Sequence, residues 1–146
     1  MIKYLVAPFV VWTVSQTLKV LYRILVHREK LSLKHVLWIY EYGSGPPSTH
    51  SALLTSGLWI VGVNYGIGPI FYFCLAVVMI LVYNLADDRK KALLLEAHLR
   101  KSTDPALRSF VKEGEFLDTS GHTVKELIPG LILGVLLGML IEWIPL

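Results

Sequence analysis

Four stretches of the chain are apolar at nearly every position, and the polar residues between them gather into two blocks. The apolar stretches run from about Tyr4 to Leu25, Ser51 to Tyr65, Gly68 to Ala86 and Leu127 to Pro145. Crossing the hydrocarbon core of a bilayer takes about 20 helical residues, so each stretch predicts a membrane helix, the second being short. The first is interrupted by Pro8, Gln16 and Lys19. Only the turn Asn64 to Pro69 separates the second from the third, which predicts a helical hairpin. The expected fold class is all-α: one membrane-embedded domain over residues 1–146, a polytopic bundle of about four transmembrane helices with interfacial helices on one face.

With four spans, the polar blocks 26–50 and 87–126 fall on the same side. That side holds Arg23, Arg28, Lys30, Lys34, Arg89, Lys90, Lys91, Arg100, Lys101, Arg108, Lys112 and Lys125, against little beyond Lys3 on the other. The positive-inside rule then orients the polar side toward the cytoplasm, and the expected location is a bacterial cytoplasmic membrane. Within the second block, Leu94, Leu95 and Leu99 alternate with basic residues, which predicts an amphipathic helix lying in the interface over 88–101. Asp104-Pro105 predicts a capped short helix ending by Gly114. Trp38, Tyr40 and Tyr42 suit an interfacial aromatic belt. Gly130, Gly134 and Gly138 form a small-residue face with two uses, packing inside the chain or the seam of a homodimer.

Composition sharpens this picture. A hydrophobic share of 54% and a mean hydropathy of +0.57 exceed those of an ordinary soluble domain. The single cysteine, Cys74, excludes a disulfide framework or a cysteine metal site. The net charge of +3 does not point to nucleic acid, because the basic residues flank apolar segments rather than a base-stacking surface. The first apolar stretch is too long for a secretory signal, and no small-residue cleavage site comes before Lys19 and Arg23, so such a signal is not expected there.

Two short constellations could carry chemistry. Gly43 to Ala52 opens the second span with glycines, two prolines, Ser48, Thr49 and His50. Ser48 and Thr49 can cap, and a helix N-terminus is a ready anion site. His50 there could protonate a leaving oxygen; the same residues also make a turn, a cap and an interfacial histidine. Ser120 to Glu126 opens the last span. In a helix His122 and Glu126 share a face, and the carboxylate could hold one imidazole nitrogen as N–H, leaving the other as nucleophile or base. Thr123 and Glu126 equally fit a capping box. Lys19 and Arg89 could supply charge to a phosphate, or act as a snorkelling lysine and a membrane anchor. Asp87 and Asp88 raise Mg²⁺ as a further ligand.

The segment Pro47-Ser48-Thr49-His50-Ser51-Ala52 resembles the Pro-Ser-x-His motif of the type 2 phosphatidic acid phosphatase superfamily. The whole chain more closely resembles that superfamily's small divergent branch. Gln16 and Lys19 match the glutamine and lysine of its first helix. Tyr83 to Arg89 partly matches its Tyr-Asp-Ala-x-Gly-Val-Arg stretch, and Gly121 to Leu127 its Gly-His-Thr-Pro-x-Glu-Val. The resemblance implies hydrolysis of a phosphomonoester or pyrophosphate through a phosphohistidine, without metal or other cofactor. It implies His122 as nucleophile with Glu126 behind it, and His50 as general acid. Phosphate would be bound by Lys19, Ser48 and the backbone N–H groups that follow it, among them that of Thr49. Three departures stand out. Phe116 occupies the place of the superfamily's third-motif arginine, for which Arg89 is the candidate substitute; Asn84 replaces an aspartate and Val124 a proline. The expected partners are a lipid phosphate (phosphatidic acid, phosphatidylglycerol phosphate or a polyprenyl phosphate) and membrane lipids. Two rivals stand beside hydrolysis: a non-catalytic lipid-binding or assembly protein on the same fold, and an Mg²⁺-dependent lipid transferase using Asp87 and Asp88.

Overall fold

The computed structural model describes residues 2–28, 32–42, 45–104, 106 and 121–144, and every regular element among them is a helix. Gly43, Ser44, the short helix expected over 105–114, Phe116, Ser120 and the Tyr42 side chain lie outside the described residues. The helices are α1 (Ile2–Val26), α2 (Leu33–Tyr42), α3 (Thr49–Tyr65), α4 (Pro69–Arg100) and α5 (Val124–Trp143). By length and composition, α1, α4 and α5 can each cross a membrane.

At 17 residues α3 is shorter, yet it runs between the same two polar levels as its neighbours. At one level Lys3 Nζ meets Glu142 Oε2 at 2.8 Å, Asn64 Nδ2 donates to Glu142 Oε1 at 2.8 Å, and Tyr4 donates to Asn64 Oδ1 at 2.7 Å. That cluster ties the start of α1 to the ends of α3 and α5. At the other level lie Lys19, His50 and Glu126. About 14–16 residues separate the two levels on each helix, or about 21–24 Å at 1.5 Å per residue. The α3–α4 hairpin turns at the first level, where Gly66 takes φ 72° and returns its N–H to Gly62 O at 3.0 Å. A side chain would strain that conformation. Pro69 then starts α4 where its missing N–H costs nothing.

One expectation changes. Residues 88–100 are helical, but they continue α4 rather than forming a separate helix in the interface. No glycine or proline interrupts that stretch, and its lysines, leucines, alanines and glutamate favour helix. Ion pairs one turn apart add support: Lys91–Asp87 at 2.6 Å, and Arg100 Nε to Glu96 Oε1 at 2.7 Å. With 32 residues α4 is about 48 Å long, beyond the roughly 30 Å of a hydrocarbon core.

Tyr40 and Trp38 of α2 pack against α1. Tyr40 stands edge-on to Trp12 with ring centroids 5.8 Å apart, its hydroxyl 2.6 Å from Thr17 Oγ1, and its carbonyl accepts from Gln16 Nε2 at 3.0 Å. Arg23 lies over Trp38 at 6.0 Å. Thus α2 runs back along α1 toward its middle, with Ile39 fully buried between them. Irregular chain at such depth is tolerated where protein or a cavity surrounds it.

The closest helix pair is α3 with α5. A Cβ on Gly130 would collide with Ser51 Oγ and Ser48 O, and one on Gly134 with Thr55 Oγ1 and Ala52 O. Gly138 lies against Trp59. The small-residue face is therefore occupied within the chain, the first of its two anticipated uses. The close approach lets hydroxyls reach across: Ser51 Oγ donates to Leu127 O at 3.2 Å and Thr55 Oγ1 to Leu131 O at 3.0 Å. Interhelical bonds of this kind in a membrane contribute about 0.6 kcal/mol each.

Gly134→Ala should separate the two backbones and lower the melting temperature in detergent by about 5–10 °C, an overpacking cost of about 1–3 kcal/mol. Gly57→Ala is the control, since a Cβ there meets nothing within 4 Å. Equal melting temperatures for the two variants would show that the α3–α5 contact does not set stability.

Candidate functional site

The second polar level gathers residues from α1, α3, α4 and the start of α5. Thr123 is the N-cap of α5, with φ −72° and ψ 156°. Its N–H donates to Glu126 Oε2 at 3.2 Å, and the same oxygen lies 3.1 Å from His122 Nδ1. Capping box and histidine–carboxylate pair are thus one arrangement, because a single carboxylate serves both. His122 precedes the helix rather than sharing a face with Glu126, and the contact is made through the capping turn.

The loop before α5 rests directly on α4. Gly121 has φ 63°, and a Cβ there would sit 2.6 Å from the Arg89 nitrogen. Only glycine fits both the conformation and the gap. The His122 N–H then donates to Leu85 O at 2.9 Å, which anchors a residue only 6% exposed.

His50, the second residue of α3, brings its Nδ1 to 3.3 Å from His122 Nε2, with the rings tilted by 50°. The hydrogen-bond network assigns the protons. With Nδ1–H of His122 directed at the carboxylate, Nε2 carries the lone pair and accepts from His50 Nδ1–H. A neutral imidazole held this way presents a nucleophilic or basic nitrogen, and the exposed His50 ring beside it can turn.

Ser48 is engaged within the chain. It is fully buried, its N–H donates to Glu126 O at 2.9 Å, and its Oγ accepts from Ser51 N at 3.4 Å. These bonds commit it to the junction of α3 with α5. Thr49 is buried beside it, and its Oγ1 has no hydrogen-bond partner among the described residues. The N–H groups of Thr49 and His50 lie in the first turn of α3, where no intrahelical acceptor exists.

A cavity of about 420 Å³ opens on the Glu126 side of this arrangement, with Lys19 and Arg23 of α1 and His27 just beyond that helix facing Thr123, Lys125 and Glu126. Its charged walls hold three cations against one carboxylate. Lys19 is only 4% exposed and acts electrostatically on both Glu126 and His50. Arg89 approaches from the far side, lining a cleft of about 380 Å³ with His122 and Thr123, and its charge also reaches Glu126. A third cleft, of about 370 Å³, places Asn84 and Asp88 beside His50. Asp87 and Asp88 point into different clefts, and Asp87 is paired with Lys91. Adjacent helical residues diverge in this way, so the two carboxylates do not form a joint Mg²⁺ site.

Three lining residues escaped the sequence reading. Arg23 was counted only as an orienting charge, and Tyr22 and His27 not at all. The available signal was position: Tyr22 and Arg23 lie one helical turn from Lys19, and His27 follows the end of that helix.

A profile described as the divergent PAP2 family matches residues 2–137. The chain therefore belongs to that family. Neither the curated proteins nor the solved structures contain a match to it.

Glu126→Ala should release the His122 tautomer. Histidine ¹⁵N NMR of the protein in detergent is expected to show Nδ1 protonated and Nε2 bare in the parent, and a mixture in the variant. An identical ¹⁵N pattern in both would mean that the carboxylate does not set the tautomer.

Proposed function

We propose that this member of the divergent PAP2 family hydrolyses the phosphate of a membrane lipid, with His122 as nucleophile. The observation that carries this is the relay from Glu126 through His122 to His50, set beside a cavity whose walls hold an excess of positive charge. A phosphomonoester carries about −1.5 to −2 charge near neutral pH, which matches the excess of two cations.

In the proposed reaction the phosphate is held by Lys19, Arg23 and the first-turn N–H groups of α3. Arg89 adds charge from behind. His122 Nε2 attacks phosphorus as the lipid oxygen leaves, taking a proton from a protonated His50. The 3.3 Å contact between the imidazoles leaves no room for phosphorus. His50 must therefore swing aside when substrate binds, which its exposure permits. Water then attacks the phosphohistidine, His50 accepts its proton, and the N–P bond breaks to release phosphate and free His122. Glu126 stabilises the imidazolium character that develops on His122. No metal or other cofactor takes part in these steps.

The basic residues gathered at the site's end of the bundle favour a cytoplasmic orientation. A site at that level suits a substrate whose tail stays in the bilayer, of the phosphatidic acid, phosphatidylglycerol phosphate or polyprenyl phosphate type.

Purified protein should release phosphate from one or more of these lipids in the presence of EDTA. His122→Ala should reduce release to background, and His50→Ala should slow it by about 10²–10⁴-fold. Undiminished release by His122→Ala would exclude the nucleophile assignment. Release that needs Mg²⁺ would favour a metal-dependent enzyme. No release from any lipid by folded protein, with no binding of vanadate, would leave a non-catalytic lipid-binding protein on this fold.

A further inference from the structure

Below the cationic cavity, α1 and α5 diverge around a second and larger cavity of about 690 Å³. Leu18, Leu21 and Leu25 of α1 form one wall, and Pro129, Ile132 and Leu136 of α5 the other. The headgroup end is closed by Pro46 and Pro47. Tyr22 and Pro46 line both cavities, so the two adjoin. The first has charged walls and the second is almost wholly apolar.

Helix surfaces that face lipid are ordinarily convex, and apolar exposure alone would signify nothing in such a chain. Here the apolar surface is concave and adjoins the cavity of a buried lysine. Pro46, Pro47 and Pro129 contribute to its lining, and none has an N–H to offer a phosphate. The cations Lys19, Arg23 and Lys125 line the neighbouring cavity instead. From Leu18 to Val26, and again from Pro129 to Leu136, the walls extend about 11–12 Å. That is well under half of a hydrocarbon core of roughly 30 Å.

We infer that the α1–α5 groove holds the head-proximal part of the substrate's hydrocarbon tail, so that a lipid phosphate reaches the site sideways from the bilayer between these two helices. This rests on the lipid-phosphate function proposed above and names its missing half, the surface that recognises the tail. The groove grips only the first part of the chain, and the remainder stays among bulk lipid. Selection acts on the shape of the tail next to the headgroup, and total chain length matters little. A phosphate ester without a tail gains nothing from the groove and binds more weakly.

The test uses the full chain in detergent and phosphatidic acid carrying a diazirine on the head-proximal half of its acyl chain, with adducts mapped by mass spectrometry. Adducts should concentrate on residues 18–26 and 129–136, and excess unlabelled phosphatidic acid should displace them better than diacylglycerol does. Leu133→Trp on α5 and, independently, Leu21→Trp on α1 should fill the groove and reduce this labelling several-fold. Ile80→Trp on the lipid-facing side of α4 should not. Labelling spread over α1, α4 and α5 in proportion to exposure, and indifferent to both groove variants, would overturn the inference. Phosphate release measured on the same samples separates the two ideas. Groove labelling without release upholds the groove and removes the phosphatase; release with uniform labelling does the reverse.

Discussion

The close approach of α3 to α5 is the constraint on which the site depends. Three glycines on α5 remove the side chains that would hold the helices apart, and hydroxyls of Ser51 and Thr55 then reach carbonyls of the opposite backbone. The same contact sets register at the polar end, where the Ser48 N–H donates to Glu126 O. That bond places the first turn of α3 against the first turn of α5. His50 and His122, which are 72 residues apart, come within hydrogen-bond distance as a consequence. Ser48 therefore fixes the distance between the two histidines.

A second constraint comes from α4. The loop bearing His122 is short of helix and would be expected to move, yet its backbone is pinned to Leu85 and closed over Arg89 by a glycine with positive φ. Anchoring at the backbone leaves the imidazole free to take its orientation from Glu126. The extension of α4 past the polar level supplies Arg89 and Asp88 to either side of the histidines. The long helix thus forms one wall of the site, which a separate interfacial helix over 88–101 could not do.

Much of this was legible in the sequence, and the limits have physical causes. The four apolar stretches and the turn at Gly66 follow from hydropathy and helix punctuation. His50, His122 and Glu126 were legible as a group because each opens a helix on the same side. What short-range patterns could not reveal was depth. Nothing in Leu33 to Tyr42 distinguishes an aromatic belt from a helix folded back on α1, because the partners Trp12, Gln16 and Thr17 lie more than twenty residues away. The burial of Ser48 was hidden for a related reason, because a buried N-cap and an exposed one share one sequence until α5 arrives. The two alternatives for Glu126 were not exclusive, since cap and histidine partner are a single geometry there.

The vertical dimension of the bundle sets the depth of the site. Its two polar levels lie about 21–24 Å apart, against a hydrocarbon thickness of roughly 30 Å. A bilayer centred on the bundle would put each polar level only a few ångströms inside the hydrocarbon boundary. Lys19 at that depth is costly unless an anion or a carboxylate is close, and Glu126 supplies part of that compensation. α3 can be short because its ends are the histidine level on one side and Asn64 bonded to Glu142 on the other. A helix of the usual spanning length would lift His50 toward water and away from Lys19 and Glu126.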